Sequence, residues 1–222
     1  MSQTLSKREM LREKRKQQKR RNTITFITVS VIGILLIAAL IVLPKLLTKT
    51  TKYENTDKFS IGDPNAPITV VEFSNYGCSH CKDFSENTEA DFIETYVKTG
   101  EVYFTYVNIP YNDASYIAAA EASYCAAEQN MFYEYKEQLF TYVGYTDSYS
   151  IDNLTKYAST VGMDTAAFTA CMESDTYAQS YLDDYAYADS IGLQGTPSFL
   201  INGTELVYAS QLYDSLNALL QN

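Results

Sequence analysis

Residues 24–43 run for twenty positions without a charged side chain, and that run constrains how the rest of the chain can be organised. At helical rise it covers ~30 Å, the hydrocarbon thickness of a bilayer. It therefore fits a membrane-spanning helix and exceeds the apolar stretch of a cleaved signal peptide, and no small-x-small cleavage site follows Pro44. The 21 residues before it carry nine Lys/Arg against Glu9 and Glu13, a net of +7. Such a run could serve as a nucleic-acid-binding arm. Directly before an apolar span, it follows the positive-inside rule instead. The expected organisation is a basic cytoplasmic segment over 1–22, a transmembrane signal anchor over 23–44, a Lys/Thr-rich linker over 45–60 and one extracytoplasmic domain over 61–221.

From Thr51 onward the charge reverses, with six Lys, no Arg and 25 Asp/Glu, a net of −19. A surface of this sign repels phosphate backbones and anionic lipid, which disfavours nucleic acid as a partner. The domain is long enough for one sizeable core.

Within it, Ile68-Thr69-Val70-Val71-Glu72-Phe73-Ser74 is a nearly continuous apolar run after a Pro/Gly/Asn-rich lead-in, the pattern of a buried strand. Phe84, Phe92, Ile93 and Tyr96 recur at helical spacing to about Val97, and a second strand follows over 102–107 before Pro110. This β-α-β start indicates an α/β domain. Between 113 and 191 strand signals vanish. Ala-, Tyr- and Glu-rich segments predict helices over about 114–129, 131–143, 151–161, 165–172 and 176–191, with Ser150 and Asp164 as N-caps. A period of two returns over 198–201 and 204–207 around Asn202-Gly203, a hairpin signal because both residues tolerate positive φ. A closing helix is expected over 210–220. Asn202 and Asn153 also open Asn-x-Thr glycosylation patterns, although turn chemistry already explains Asn202.

Chemistry concentrates in Cys78-Ser79-His80-Cys81, which contains the only histidine of the chain. Two thiols flanking a dipeptide can close a disulfide across one helical turn. A helix N-terminus and a neighbouring imidazolium both favour thiolate over thiol. Half of a zinc site and a plain structural disulfide are the alternatives. Zinc would need two more close ligands, while Cys125 and Cys171 are isolated singles. Gly195-Thr196-Pro197 stands directly before the hairpin, where proline can merely open a strand or can adopt a cis bond that packs a loop against a functional centre. Glu72 shares the strand face of Ile68 and Val70. Buried there, its carboxyl would have a raised pKa and could move protons; at a strand end it could also reach solvent.

A strand ending Glu-Phe-Ser, a Cys-x-His-Cys opening a helix, a long helical stretch and a Gly-Thr-Pro before a hairpin together resemble the DsbA-like branch of the thioredoxin superfamily, over about residues 61–221. The resemblance implies a thioredoxin fold with an inserted helical domain at about 113–191, acting as a thiol-disulfide oxidoreductase that introduces disulfides into reduced or unfolded secreted proteins. By the same resemblance Cys78 is the nucleophile and Cys81 the resolving cysteine, together forming the redox-active disulfide. His80 tunes the thiolate, Glu72 handles protons, and Thr196 and Pro197 bind the substrate strand. Cys125 and Cys171 would form a second, structural disulfide, or remain two separate buried thiols. No metal or cofactor is implied. A quinone-linked membrane protein would restore the disulfide, with the chain held single-pass in a bacterial cell membrane. Ser79 stands where the best-known oxidant pattern has proline, leaving the first helical turn freer. A reductase or isomerase of the same fold, and a peptide-binding holdase with incidental cysteines, are the competing functions.

Overall fold

The β-branched and aromatic residues of the 68–74 run form the central strand of a mixed sheet, flanked on both sides and buried except at Thr69 and, in part, Val71. A computed structural model describes residues 15, 16, 18–28, 33 and 58–221. The chain divides into two units, 1–50 and 51–222. In the first, residues 18–28 are helical. Most of the expected span over 23–44 lies outside the described residues, and among those described no helix is long and apolar enough to cross a membrane.

The second unit contains strands β1 (Ser60–Ile61), β2 (Ile68–Ser74), β3 (Val102–Asn108), β4 (Ser198–Ile201) and β5 (Glu205–Tyr208), in the order β1-β3-β2-β4-β5. β2 runs parallel to β3 and antiparallel to β4. Helix α1 (Ser79–Asn87) follows β2, then a short α2 (Glu89–Phe92) and a π-helical turn over Ile93–Val97. The continuous helix expected to Val97 is thus broken at Thr88, whose φ of −125° lies outside the helical range. Helices α3 (Ala114–Glu128), α4 (Phe132–Thr141), α5 (Ile151–Val161), α6 (Thr165–Glu173) and α7 (Ser180–Ser190) fill the stretch between β3 and β4, and α8 (Ala209–Leu220) closes the fold. This is the thioredoxin-like α/β fold with a helical insertion.

Local chemistry accounts for most boundaries. The carboxylate of Asp164 caps α6 by accepting from the amides of Ala166 and Ala167, and the hydroxyl of Ser150 caps α5. Asn202 and Gly203 turn the β4–β5 hairpin at φ of 47° and 70°. The Asn202 side-chain oxygen also accepts from the Thr69 amide at 2.9 Å, so this residue stitches the hairpin to β2. Strand β1 was not legible. It has only two residues, it falls at the end of the expected linker, and pairing with β3 alone makes it a strand. Phe59, just before it, packs edge-on against Tyr124 and Phe132 of the insertion.

The sheet carries a core on each face. One buries Val70, Phe104 and Phe199 with Phe84, Phe92 and Leu212, and continues into the insertion through Phe132, Tyr135, Leu139 and Leu154. The other is smaller, formed by Phe73, Ile109, Ala188 and Leu200. Each fully buried side chain of this size contributes roughly 1.5–3 kcal/mol relative to exposure.

Cys125 of α3 and Cys171 of α6 are bonded, with Cα atoms 5.8 Å apart and the two residues 46 positions apart in sequence. Closing a loop of that length restricts the unfolded chain by up to about 4 kcal/mol. The paired replacement Cys125→Ala/Cys171→Ala is expected to lower the unfolding free energy in urea by about 2–4 kcal/mol. An unchanged midpoint and slope would show that the bridge adds nothing to stability.

Candidate active site

Cys78 ends the loop between β2 and α1, and the loop is held from several sides. The Asn75 side chain donates to the Ile109 carbonyl at 2.6 Å and accepts from the Gly77 amide at 2.6 Å, while the Cys78 amide donates to the Asn75 carbonyl at 3.0 Å. From the insertion, the Tyr149 hydroxyl reaches the carbonyl of Tyr76 at 2.7 Å. Gly77 is dictated by close approach, since a Cβ there would sit 2.6 Å from the Tyr116 ring and 2.8 Å from that of Tyr111.

The Cys78 sulfur occupies the N-cap of α1 and accepts from the Cys81 amide at 3.4 Å. Its thiol donates to the Thr196 carbonyl at 3.3 Å. The Thr196-Pro197 bond is cis and stands immediately before β4, which pairs with β2; this brings residues 118 positions apart into contact. Cys78 and Cys81 are free thiols, 7% and 0% exposed.

The two sulfurs are driven in opposite directions. A hydrogen bond from Cys81 is the largest influence on Cys78; with further help from the Cys81 amide, Thr196 and the His80 amide, it outweighs burial and lowers the pKa to about 5. Burial, then the hydrogen bond to Cys78, pushes the Cys81 pKa far above that of an ordinary thiol. The unpaired amides at a helix N-terminus and the fixed dipole behind them explain why charge resides on the first sulfur and not on the second. What reaches Cys78 from His80 is its backbone N–H. The imidazole itself is exposed and lines a groove of about 310 Å³ together with Asp83, Thr196, Pro197, Tyr208 and Ser210.

Glu72 is completely buried on β2, in register with Tyr106 of β3 and Phe199 of β4. Neither carboxylate oxygen has a hydrogen-bond partner. Burial raises its pKa to about 8, opposed by the positive charge of Lys136 and reinforced by Glu89. Lys136 and Glu89 are themselves a buried ion pair, Lys136 reaching from α4 of the insertion to Glu89 of α2, with the ammonium over the rings of Tyr106 and Tyr133. The hydroxyls of Ser74, Tyr76 and Tyr106 and the amide of Asn108 are also buried without partners. The parallel register sets Ser74 opposite Asn108 and Glu72 opposite Tyr106, on one face of the sheet. The fold therefore brings Glu72, Cys78, His80, Cys81, Thr196 and Pro197 to one end of the sheet and places Cys125 and Cys171 apart, in the insertion. Asn75, Glu89, Lys136 and Tyr149 were missed by sequence reading. Lys136 carried a signal, a lone lysine among the apolar and aromatic residues of its helix, but the other three look like ordinary polar positions. Among the described residues no cluster of His, Cys, Asp and Glu could hold a metal ion.

The chain matches a family model described as Thioredoxin over residues 54–222. Among curated proteins it is similar to disulfide bond formation protein D of Bacillus subtilis, with 26% identity over 149 residues that cover 64% of this chain and 66% of that one. It is also similar to the Na(+)/H(+) antiporter NhaA 3 of Salinispora tropica, 30% identical over 144 residues, which cover 64% of this chain and 21% of the antiporter. The chain thus spans about a fifth of one relative and just under two thirds of the other. Among solved structures, oxidised BdbD from Bacillus subtilis superposes with a TM-score of 0.67 at 20% identity, over 78% of this chain and 98% of that one.

Because the native carboxyl of Glu72 holds its proton up to about pH 8 while an unfolded one releases it near 4.5, ionisation opposes folding. Stability from this group is present below pH 4.5 and is lost, at up to about 1.4 kcal/mol per unit, as the pH rises towards 8. Glu72→Gln is therefore expected to gain on the parent protein across that window and to hold a constant advantage above it, read from urea unfolding at a series of pH values. A difference that does not vary with pH would mean that Glu72 ionises normally. In Lys136→Met the Glu72 titration is expected to move further up, with about 3–5 kcal/mol of stability lost through the unpaired Glu89.

Proposed function

The chain belongs to the thioredoxin family, and from that premise we propose that it is a thiol-disulfide oxidoreductase that introduces disulfides into reduced or unfolded proteins outside the cytoplasm. The arrangement that carries the proposal is the Cys78 sulfur capping α1, its pKa lowered to about 5, beside a Cys81 whose pKa is pushed the other way. For each pH unit by which the Cys78 pKa lies below the ambient pH, the reduced state gains about 1.4 kcal/mol over ordinary thiols, about 30 mV for a two-electron couple. A protein that favours its reduced state gives its disulfide away.

In the working cycle a client thiolate attacks Cys78 of the Cys78–Cys81 disulfide. The S–S bond breaks, its electron pair goes to Cys81, and a mixed disulfide forms at Cys78. Cys81 is a poor anion and takes up a proton as it leaves. Glu72, buried and still protonated at neutral pH, acts as the proton donor. A second client thiolate then attacks the client sulfur and expels Cys78 as a thiolate. The client is oxidised by two electrons and this protein reduced by two. Thr196 and Pro197 hold the client strand beside the sulfur, and the His80 backbone N–H adds to a stabilisation supplied mainly by Cys81. A quinone-linked membrane protein restores the disulfide. The apolar run over 24–43 anchors the chain in the same membrane, with the catalytic domain on the extracytoplasmic side of a bacterial cell.

Thiolate absorbance of the reduced protein is expected to titrate with a midpoint near 5. His80→Ala should raise that midpoint by less than about one unit, because the backbone donors remain. A midpoint near the ordinary thiol value would remove the oxidase reading. The chain should also catalyse oxidation of a reduced, unfolded protein, and Cys78→Ser should abolish this. Suppression of aggregation that survives Cys78→Ser, without catalysed oxidation, would favour a holdase.

A further inference from the structure

The groove beside the cysteines has a charge of its own. His80 and Asp83 lie three positions apart on α1 and face it from the same side. Tyr208, at the junction of β5 and α8, also lines it and is 53% exposed. The Asp83 carboxylate accepts from the Asn87 side chain at 2.9 Å and has no lysine or arginine partner among the described residues. Neighbouring Lys82 is engaged elsewhere, donating to the Thr141 carbonyl at 3.1 Å and lying 3.6 Å from Glu86. Among the described residues Lys58, Lys98 and Lys136 are likewise paired with carboxylates, no lysine lines the groove, and the domain contains no arginine.

A free carboxylate and an exposed aromatic face bordering one groove make a receptor for a cation, which gains a charge-assisted hydrogen bond from the first and ring attraction from the second. The net charge of −19 from Thr51 onward adds a long-range field of the same sense. The groove is also lined by Thr196, whose carbonyl accepts from the Cys78 thiol. A side chain resting in it therefore belongs to a residue close to the client's own cysteine.

We propose that Asp83 and Tyr208 form a recognition subsite for a lysine or arginine flanking the client cysteine, so that the preferred substrates are cationic segments. The proposal rests on the oxidase reading above and specifies which thiols it acts on first.

The oxidised full-length chain is mixed with three dithiol peptides identical except for Arg, Ser or Asp beside the attacking cysteine, and the oxidation rates are followed in low salt and in about 0.5 M salt. The Arg peptide is expected to react about tenfold faster than the Asp peptide at low salt, with the gap shrinking in high salt. Asp83→Lys should reverse the order of these two peptides, and the milder Asp83→Asn should narrow it. Equal rates for all three peptides would overturn the subsite and leave the oxidase reading standing. An Arg preference unchanged in both Asp83 variants would also overturn it, assigning the preference to overall charge. Failure to oxidise any of the peptides would overturn the oxidase reading itself, and the subsite with it.

Discussion

The hydrogen bond from the Cys81 amide to the Cys78 sulfur is the contact on which the chemistry of this site depends. A helix must satisfy its first amides with something, and here the acceptor is a sulfur atom instead of the usual hydroxyl or carboxylate. The same bond starts α1 and holds negative charge where a client must attack. Structural and chemical demands thus coincide at one atom, where the Cys81 side chain adds the largest single influence on the charge.

Beneath that sulfur the site contains a second titrating group with the opposite tendency. Cys78 ionises more easily in the native protein than when unfolded, so its contribution to the reduced form grows as pH rises from about 5 towards the ordinary thiol range. Glu72 ionises less easily, and its contribution falls over an overlapping window. In the dithiol form the two trends offset each other. In the disulfide form only Glu72 still titrates, so a rising pH weakens the oxidised state relative to the reduced one. An unpartnered buried carboxyl is costly, and the Lys136–Glu89 pair limits that cost by setting a positive charge beside it.

The helical insertion is therefore more than a cover over one face of the sheet. It supplies Lys136 to the buried charges, Tyr149 to the loop before Cys78, and α7 to the second core. Cys125–Cys171 ties two of its helices together at a distance from the reactive pair. A thioredoxin sheet alone would leave Glu89 without its partner.

Much of this could be read in one dimension. The apolar run of β2, the capping residues Ser150 and Asp164, the Asn-Gly turn and the spacing of the cysteines each report on their own few neighbours, and local backbone physics is enough to place them. Burial of Glu72 was suggested by strand phase and decided only by packing, since phase identifies a face but not what covers it. The partnership of Lys136 with Glu89 across 47 positions, of Tyr149 with the Tyr76 carbonyl across 73, and of Cys78 with Thr196 across 118 left no pattern in the sequence. Such contacts arise because strand order and insertion packing close long loops, and chain entropy makes those closures depend on the whole fold instead of on any local run of residues. For that reason the sequence determined which residues could do redox chemistry and which of the two sulfurs opens the helix, and the tertiary structure alone decided what stands around them.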